Sequence, residues 1–272
     1  MFLKDFNFTN KLKYDNINVS LCKMRIKGVK CLGKTVVLIS SKGGSGKSTV
    51  AVGLATAFSL EGKKVLLIDA DEGARCLDLM LAVNEGTVFD ISDVLKGNCD
   101  VNDAVLSVPK LPNVYIIPSP MSGEPLDLTA LGELTETLKT EYDLVIVDTK
   151  GQLPAERLLG LPKSAEIISV VTTDKIAVRN TGILNSKLIH EGFKPRLIIN
   201  RFKRKTADGS IVNIDSIIDE TNARLIGLVP EDKKIGAYSG PLMLGIAAKA
   251  VFRIAGRING QNIPLPSLKE IL

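Results

Sequence analysis

Short apolar runs alternate with longer amphipathic stretches from residue 35 onward, and this alternation limits the fold more than any other feature. The apolar runs predict strands at Val36–Ser40, Val65–Asp69, Val114–Ile117, Leu144–Asp148, Ile167–Val171, Leu197–Asn200 and Leu225–Val229. Helical patterns lie between them at about 47–61, 126–140, 177–191 and 213–222, and a last one lies near 243–258. Because strand–helix–strand units connect parallel strands through right-handed crossovers, we predict a three-layer α/β/α fold with a mostly parallel central sheet.

The composition suits a core of small and branched aliphatic side chains. The 272 residues are 45% hydrophobic but only 4% aromatic, with no tryptophan. The longest apolar runs are five to seven residues, too short for a helix that crosses a membrane. The N-terminus also lacks the continuous apolar stretch of a signal peptide. We therefore expect a cytoplasmic protein, or one bound peripherally to the inner face of the cell membrane.

The positive charge of the chain is concentrated near its N-terminus. Residues 1–34 contain eight Lys or Arg and two Asp, a surplus of six, whereas the whole chain carries a net charge of +5. We predict a basic extension at residues 1–34, one domain at residues 35–260 and a tail at residues 261–272. The extension suits weak strands or an extended arm, a short basic amphipathic segment, or simply a solvated arm.

A glycine-rich run follows the first predicted strand and precedes the first predicted helix, which is the context of a phosphate-binding loop. Its glycines can direct backbone N–H groups at phosphate oxygens, and the helix N-terminus adds partial positive charge. Lys47 can bridge the β- and γ-phosphates, and the Ser48 hydroxyl is a suitable Mg²⁺ ligand. A glycine-rich turn without a ligand is the alternative. The residues that we assign to nucleotide binding here are Ser41, Lys42, Gly43, Gly44, Ser45, Gly46, Lys47, Ser48 and Thr49.

Lys42 is an additional lysine that the usual G-x-x-x-x-G-K-[ST] pattern lacks, and Ser41 replaces the first glycine of that pattern. The run fits K-G-G-x-G-K-[ST] instead. In a face-to-face homodimer, Lys42 can reach the nucleotide of the partner subunit and neutralise charge on the transferred phosphoryl group. We therefore predict catalytic roles for Lys42 and Lys47, with an ordinary exposed lysine as the alternative for Lys42.

Acidic residues end the second and fourth predicted strands, at the sheet edge where ligands bind in such folds. Asp69 and Asp71 face the same side, and we predict that Asp71 positions the attacking water and contributes to the metal site, with Asp69 in support. Asp148 follows four apolar residues, which is typical of a Walker B aspartate that holds Mg²⁺ through its water shell. Gly151 can offer its N–H group to the γ-phosphate. For the carboxylates, capping of a turn or helix is the alternative.

Two later strand ends supply candidates for a pocket that binds the base. Asn200 ends a predicted strand, and its amide can pair with the donor–acceptor edge of adenine. Arg201 follows it directly, and Pro230 lies in a stretch, 229–232, that can form the other wall. Combined with the phosphate loop, these residues favour ATP as the nucleotide.

The cysteines and the lone histidine show no metal-binding spacing. Cys22, Cys31, Cys76 and Cys99 form no C-x-x-C pair. We expect reduced thiols, with a cluster shared by two subunits through Cys76 or Cys99 as the alternative. His190 lies near a predicted helix end and is expected to be solvated.

Six motifs together resemble those of the MinD branch of the MinD/ParA family of deviant Walker ATPases. They are S-K-G-G-S-G-K-S-T, L-I-D-A-D-E-G-A-R-C-L-D-L-M-L, V-I-V-D-T-K-G, V-V-T-T-D-K-I-A-V-R, L-I-I-N-R and G-L-V-P-E-D, within roughly residues 34–265. The resemblance implies a P-loop ATPase that forms a homodimer on ATP, hydrolyses ATP slowly under a protein activator, and cycles on and off a membrane during division-site selection. It also implies the roles given above for Lys42, Lys47, Ser48, Asp71, Asp148 and Asn200.

Three departures from the family pattern affect these expectations. Asp148-Thr149-Lys150-Gly151 replaces the usual D-x-P-A-G, so the sensor loop is shortened and carries an extra charge at Lys150. The chain ends in a segment with two prolines rather than a basic amphipathic helix, and the basic extension has no counterpart in the family pattern. We therefore hypothesise that residues 1–34, rather than the C-terminus, attach the protein to anionic lipid.

Other functions stay open as alternatives. A ParA-like or partner-directed ATPase would act on DNA or on a protein machine through basic surfaces such as residues 203–205, although we rank DNA below the other partners. A metallocluster-assembly ATPase would need cysteines at the dimer axis. A protein that binds nucleotide without hydrolysing it would follow if Lys150 disables the sensor loop.

Overall fold

The computed structural model describes residues 32–205, 209–233, 235 and 245–266, and an eight-stranded sheet forms the centre of this part. The strands lie in the order β3-β4-β2-β5-β1-β6-β7-β8. Among them, β3 is antiparallel to its neighbour and all other pairs are parallel, which confirms the predicted sheet. The strand bounds are β1 (Lys34–Ile39), β2 (Val65–Ala70), β3 (Leu106–Ser107), β4 (Val114–Ile117), β5 (Leu144–Thr149), β6 (Glu166–Val171), β7 (Arg196–Phe202) and β8 (Arg224–Pro230).

Helices connect these strands and cover the sheet. In the described part of the chain, they are α1 (Lys47–Leu60), α2 (Leu77–Leu81), α3 (Ile91–Lys96), α4 (Val101–Ala104), α5 (Leu128–Leu138), α6 (Ala155–Leu158), α7 (Lys175–His190), α8 (Ile214–Thr221) and α9 (Ile246–Ile258). A 3₁₀ turn at Asn84–Gly86 follows α2.

Apolar side chains of the central strand β1 enter two different cores. Val36 and Leu38 belong to a core with residues of α1, α2 and α9. Val37 and Ile39 belong to a second core with residues of α3 to α7. Successive side chains on a strand point to opposite faces, so an uninterrupted apolar run is what a strand covered on both faces requires. The three-layer α/β/α prediction is therefore confirmed.

Apolar periodicity does not predict β3 or the helices α2, α3, α4 and α6, because these elements are too short to show a periodic pattern. One of them carries a local signal of another kind. The Asp90 carboxylate accepts hydrogen bonds from the N–H groups of Ser92 and Asp93, and the Asp93 carboxylate accepts one from Asp90 N–H. This capping box fixes the start of α3.

The chain divides into two units, residues 1–31 and residues 32–272. The predicted basic extension lies outside the described residues except for residues 32–34, as do residues 267–272 of the predicted tail. The last predicted helix begins at Ile246, and its predicted residues 243 and 244 also lie outside the described ranges. No helix within the described ranges is both long and apolar enough to span a membrane.

The contact between α7 and α8 depends on a glycine. A Cβ atom added at Gly182 would overlap the backbone carbonyl oxygen of Glu220. Nearby, the buried Asn185 side chain donates to the carbonyl oxygen of Thr221 at 2.8 Å and accepts from the Ser169 hydroxyl at 2.7 Å. These hydrogen bonds fix both helices relative to β6, so the backbones cannot separate without breaking them.

We predict that Gly182→Ala lowers the free energy of unfolding by about 1–3 kcal/mol, because the added methyl group overpacks this contact. Alanine is the better helix former by only about 1 kcal/mol, which does not compensate for the overlap. Urea unfolding measures the change, and Ser186→Ala at an exposed position of the same helix is the matched control. Equal stability of the Gly182→Ala and wild-type proteins would contradict the prediction.

Candidate nucleotide-binding site

The residues predicted to bind phosphate and metal lie at the carboxyl-terminal edge of β1, β2 and β5, which are adjacent in the sheet. The phosphate loop connects β1 to α1, and its glycines give it the conformation that a tight phosphate cradle requires. Gly44 and Gly46 adopt φ values of 74° and 88°, in the left-handed region that favours glycine. Gly46 occupies the cap position of α1 and has no side chain, so the first N–H groups of the helix face the loop opening.

Asn200 lies beneath the phosphate loop. Its amide Nδ2 donates a hydrogen bond to the carbonyl oxygen of Ser45 at 2.8 Å, and a Cβ atom on Gly46 would overlap the same amide. The side chain is buried and therefore supports the loop from below. This role was not expected from the sequence, and the predicted contact of Asn200 with adenine stays a prediction.

The other two candidates for the base pocket lie at the ends of neighbouring strands. Arg201 is exposed on β7 with a φ of 50°, and Pro230 is buried at the end of β8. Phe202 pairs with Pro230 across the two strands, and Glu231 N–H donates to the Phe202 carbonyl oxygen at 3.1 Å. The structure thus brings Arg201 and Pro230 to the same sheet edge as Asn200.

Ser41 ties the phosphate loop to α7. Its hydroxyl donates to the carbonyl oxygen of Ala177 at 2.9 Å and lies 2.8 Å from the hydroxyl oxygen of Thr181. Lys42 projects from the next position, and its Nζ lies 3.5 Å from Oδ1 of Asp174, the residue that caps α7. Because both side chains of this ion pair are about half exposed, at 53% and 40%, the pair contributes little and Lys42 can exchange partners.

Two carboxylates, Asp69 and Asp148, lie side by side on β2 and β5 and are fully buried. Asp69 accepts hydrogen bonds from three backbone N–H groups, those of Asp71 at 3.1 Å, Cys76 at 3.1 Å and Leu77 at 3.0 Å. It therefore organises the loop after β2, which is the structural alternative considered above. Neither oxygen of Asp148 has a hydrogen-bond partner of good geometry among the described residues, although the nearby Ser48 hydroxyl favours its ionised form.

The burial of these carboxylates changes their proton affinity. Burial, together with the neighbouring Asp148, raises the pKa of Asp69 to about 7. Burial also raises the pKa of Asp148 to about 6, although the Lys47 ammonium and the Ser48 hydroxyl act against this shift. For Asp71, burial raises the pKa while Lys47 and then Lys150 lower it. Lysines thus favour the ionised form of both Asp148 and Asp71.

The residues around Asp148 fit Mg²⁺. The two unpartnered carboxylate oxygens and the Ser48 hydroxyl are oxygen ligands, which this hard cation prefers. Among the described residues, no group of three or more His, Cys, Asp or Glu side chains is arranged to hold a metal. Mg²⁺ commonly takes only one or two carboxylates and completes its shell with waters and phosphate oxygens, so a site of this kind depends on bound nucleotide.

Cys76 lies next to this candidate metal site. Its thiol donates to the Ser48 hydroxyl oxygen, with 3.3 Å between Sγ and Oγ. Burial raises the pKa of the Cys76 thiol to about 11, which favours the protonated form. Cys76 is a free thiol, as expected from the sequence. Cys99 is half-buried beside the second core, and Cys22 and Cys31 lie outside the described residues.

The loop after β5 packs directly on the phosphate loop. A Cβ atom on Gly151 would lie 3.2 Å from Cα of Gly43, and Gln152 N–H donates to the carbonyl oxygen of Ser40 at 2.8 Å. The preceding Thr149 hydroxyl donates to the carbonyl oxygen of Leu38 at 2.8 Å. These contacts place Gly151 beside the phosphate loop, as its predicted role requires.

Glu72 and Arg157 form a contact that no sequence pattern predicts. The Nη2 atom of Arg157 lies 3.0 Å from Oε1 of Glu72, whose side chain is only 2% exposed. The same Arg157 nitrogen donates to the carbonyl oxygen of Leu126, and Leu126 N–H donates to Glu72. The contact holds the loop after β2 against the start of α5 and against α6. No sequence motif marks Arg157, so only the structure could reveal this partner.

Known proteins with the same organisation were found by sequence and by structure. A family model described as an AAA domain matches residues 33–199. The septum site-determining protein MinD of Synechocystis sp. is 32% identical over 247 residues, which cover 86% of this chain and 92% of that protein. The chain is a MinD-like member of the MinD/ParA family of P-loop ATPases. The family predicted from the six motifs is therefore confirmed.

Two solved MinD structures have the same fold. The MinD chain in a MinC:MinD cell division protein complex of Aquifex aeolicus is 27% identical with a TM-score of 0.75, and the match covers 86% of this chain and 99% of that chain. MinD of Pyrococcus horikoshii, solved in complex with Mg-ADP, is 26% identical with a TM-score of 0.73, covering 84% and 96%. The MinD fold is thus shared over nearly the whole of those chains.

We predict that the stability of the nucleotide-free protein falls as the pH rises from about 4 to about 7. The folded-state pKa values of Asp69 and Asp148 lie above their ordinary value of 3.8, so the folded protein binds more protons than the unfolded chain in this range. Asp148→Asn should make stability fall less steeply with pH. It removes one buried carboxylate and also removes the charge of Asp148, which raises the pKa of Asp69.

Urea unfolding at several pH values tests this prediction. The matched control is Asp215→Asn on α8, where the native carboxylate is exposed and its loss should leave the slope unchanged. An Asp148→Asn protein whose stability falls with pH as steeply as that of the wild type would show that burial of Asp148 does not set the slope.

Proposed function

We propose that this chain is an ATPase switch that binds Mg-ATP at the site described above, dimerises on ATP and hydrolyses it during division-site placement. The carrying observation is Asp148, a fully buried carboxylate that lies next to Lys47 and Ser48 of the phosphate loop and has no backbone N–H partner among the described residues. Burying a charge without a partner is costly, so such a group is maintained where a ligand supplies the missing interaction.

The phosphate loop binds and orients the nucleotide. The N–H groups around Gly43–Gly46 and at the start of α1 donate to phosphate oxygens, and Lys47 adds a fixed positive charge. Ser48 and Asp148 would hold Mg²⁺, which neutralises phosphate charge when it is bound. Asn200 keeps the loop in this shape through its hydrogen bond to Ser45.

Asp71 and the loop after β2 position the attacking water. Asp71 is half-buried, and Lys47 and Lys150 oppose the rise of its pKa that burial causes, so the carboxylate can accept a hydrogen bond from water. Asp69 holds the loop through three N–H groups, and Glu72 holds it through Arg157. These contacts limit the movement of Asp71, which favours a fixed water geometry.

Lys42 acts across the dimer. Its exposed ion pair with Asp174 is weak and can be replaced by contacts to the nucleotide of the partner subunit. A cation supplied across an interface stabilises charge on the transferred phosphoryl group and can accelerate hydrolysis by about 10³–10⁵. Hydrolysis would then be slow in the monomer and faster in the dimer.

The relatives indicate the cellular process. The Synechocystis relative is named a septum site-determining protein, and the Aquifex relative forms a complex with MinC. By analogy, we propose division-site placement and a protein partner that stimulates hydrolysis. The basic residues 1–34 would attach the protein to anionic lipid, at about 1 kcal/mol per basic residue, and dimerisation would double the number of attachments.

The rival functions have weaker support. In the basic patch at residues 203–205, Lys203 lies beside the acidic Glu231, whose charge opposes the approach of DNA phosphates. For a metallocluster site, the Cys76 thiol is hydrogen-bonded to Ser48 inside the nucleotide site. Neither observation favours a second function over ATP hydrolysis.

We predict that Asp71→Ala binds ATP but hydrolyses it about 10²-fold or more slowly than the wild type, because the group that orients the water is lost. Lys47→Ala should lose nucleotide affinity, whereas Lys42→Ala should bind ATP but stay monomeric. Calorimetry, steady-state hydrolysis and light scattering measure these three properties. The control is Lys110→Ala, which removes an exposed lysine from the turn before β4. Undiminished hydrolysis by Asp71→Ala would contradict the assignment.

We predict that the protein co-sediments with anionic liposomes in ATP but not in ADP, because only the dimer carries two basic extensions. Deletion of residues 1–31 should abolish this binding while it retains Lys34, whose Nζ donates to the Ile258 carbonyl oxygen in the folded domain. Neutral liposomes are the control for charge. Binding that survives the deletion would place the lipid contact elsewhere in the chain.

A further inference from the structure

Lys150 lies beside Asp71 at the point where the family motif of the sensor loop is altered. Ala70 at the end of β2 pairs with Thr149 at the end of β5. Asp71 and Lys150 are the residues that directly follow these two strand ends. Both follow strands that end at the nucleotide site. Lys150 therefore projects from the same sheet edge as the residue proposed to position the water.

Contacts on both sides place Lys150 between the two loops that border the terminal phosphate. On one side, Gly151 is close to Gly43, and Gln152 is hydrogen-bonded to Ser40 in the phosphate loop. On the other side, the Lys150 Nζ donates to the carbonyl oxygen of Glu72 at 3.4 Å. The ammonium group thus spans from the loop after β5 to the loop after β2.

The Lys150 ammonium is available to a ligand. Its hydrogen bond to Glu72 is longer than the usual range of about 2.7–3.2 Å, and the acceptor is a neutral carbonyl group. Within the described residues, Lys150 forms no ion pair, and it is exposed. An ammonium group has three donors, so at least two can turn towards phosphate oxygens. Arg157 is different, because its pairing with Glu72 commits it to the fold.

We propose that Lys150 is a catalytic lysine that acts on the nucleotide of its own subunit and contacts the non-bridging oxygens of the terminal phosphate of ATP. This proposal rests on the proposed ATPase function.

In hydrolysis, the water oxygen forms a bond to the terminal phosphorus. The bond from that phosphorus to the bridging oxygen breaks, and its electron pair leaves with ADP. The products are ADP, inorganic phosphate and one proton, which is released to solvent. Lys150 stabilises the negative charge on the transferred group.

A catalytic lysine in the same subunit as the nucleotide makes part of the hydrolysis independent of dimerisation. Lys42 can reach a nucleotide only across an interface, whereas Lys150 belongs to the subunit that holds the nucleotide. Part of the hydrolysis should therefore persist when the protein is monomeric. We expect Lys42→Ala to retain a slow activity that does not depend on protein concentration and that Lys150→Ala removes.

The decisive test compares two nucleotides that differ in the terminal phosphate. Calorimetry with Mg²⁺ should show that Lys150→Ala lowers the affinity for a non-hydrolysable ATP analogue by about tenfold or more and leaves the affinity for ADP within about twofold. Turnover should fall by about 10²-fold, as when one charge-stabilising donor is removed from an active site. Lys150→Arg should recover part of both losses, and Lys110→Ala should match the wild type.

Two outcomes of the affinity comparison would overturn the proposal. Equal losses of affinity for ADP and for the ATP analogue would mean that Lys150 only tethers the loop through Glu72. An unchanged affinity for both would mean that it is a solvated side chain. Unfolding midpoints of the nucleotide-free variants identify any loss of fold, in which case Lys150→Gln replaces Lys150→Ala. A wild-type protein that binds both nucleotides without hydrolysis would refute the proposed ATPase, while the affinity comparison would still decide the contact of Lys150.

Discussion

Placing two carboxylates side by side in a protein interior costs free energy that hydrogen bonds or a cation must offset. Asp69 and Asp148 meet this requirement in different ways. Asp69 uses three backbone N–H groups and so determines the path of the loop after β2. Asp148 has no such backbone partners among the described residues and depends on its polar surroundings, of which the Lys47 ammonium lowers its pKa most. The shape of the loop and the proposed metal site therefore have one physical origin.

The sheet makes this arrangement possible. β1 lies between β5 and β6 and is covered on both faces. The free energy gained by burying these apolar side chains holds the strand ends in place and offsets the cost of burying the two carboxylates. The alternation of Val36 and Leu38 with Val37 and Ile39 between two cores fixes the register of the strand. A shift of β1 by one residue would move the phosphate loop along the sheet and would change its distance from Asp148.

Apolar runs that end in acidic residues were sufficient to predict β2 and β5 and the positions of Asp69 and Asp148. The glycine-rich run likewise predicted where the phosphate loop lies. Contacts between distant segments were not predictable, because nothing in the sequence near Arg157 shows that it pairs with Glu72. Asn200 illustrates the same limit: its position at a strand end was predicted, but its hydrogen bond to Ser45 depends on how two loops fold together. Short helices such as α6 were missed because four residues contain no periodic pattern.

Gly43 and Gly151 meet backbone to backbone, with no side chain between the two loops. Side chains normally absorb small displacements by changing rotamer, and neither residue has one. A displacement of the phosphate loop towards Gly151 therefore meets the backbone of the loop that carries Lys150 directly. A methyl group at position 151 would meet Cα of Gly43 at 3.2 Å, so one of the two loops would have to shift by a few tenths of an ångström to admit it.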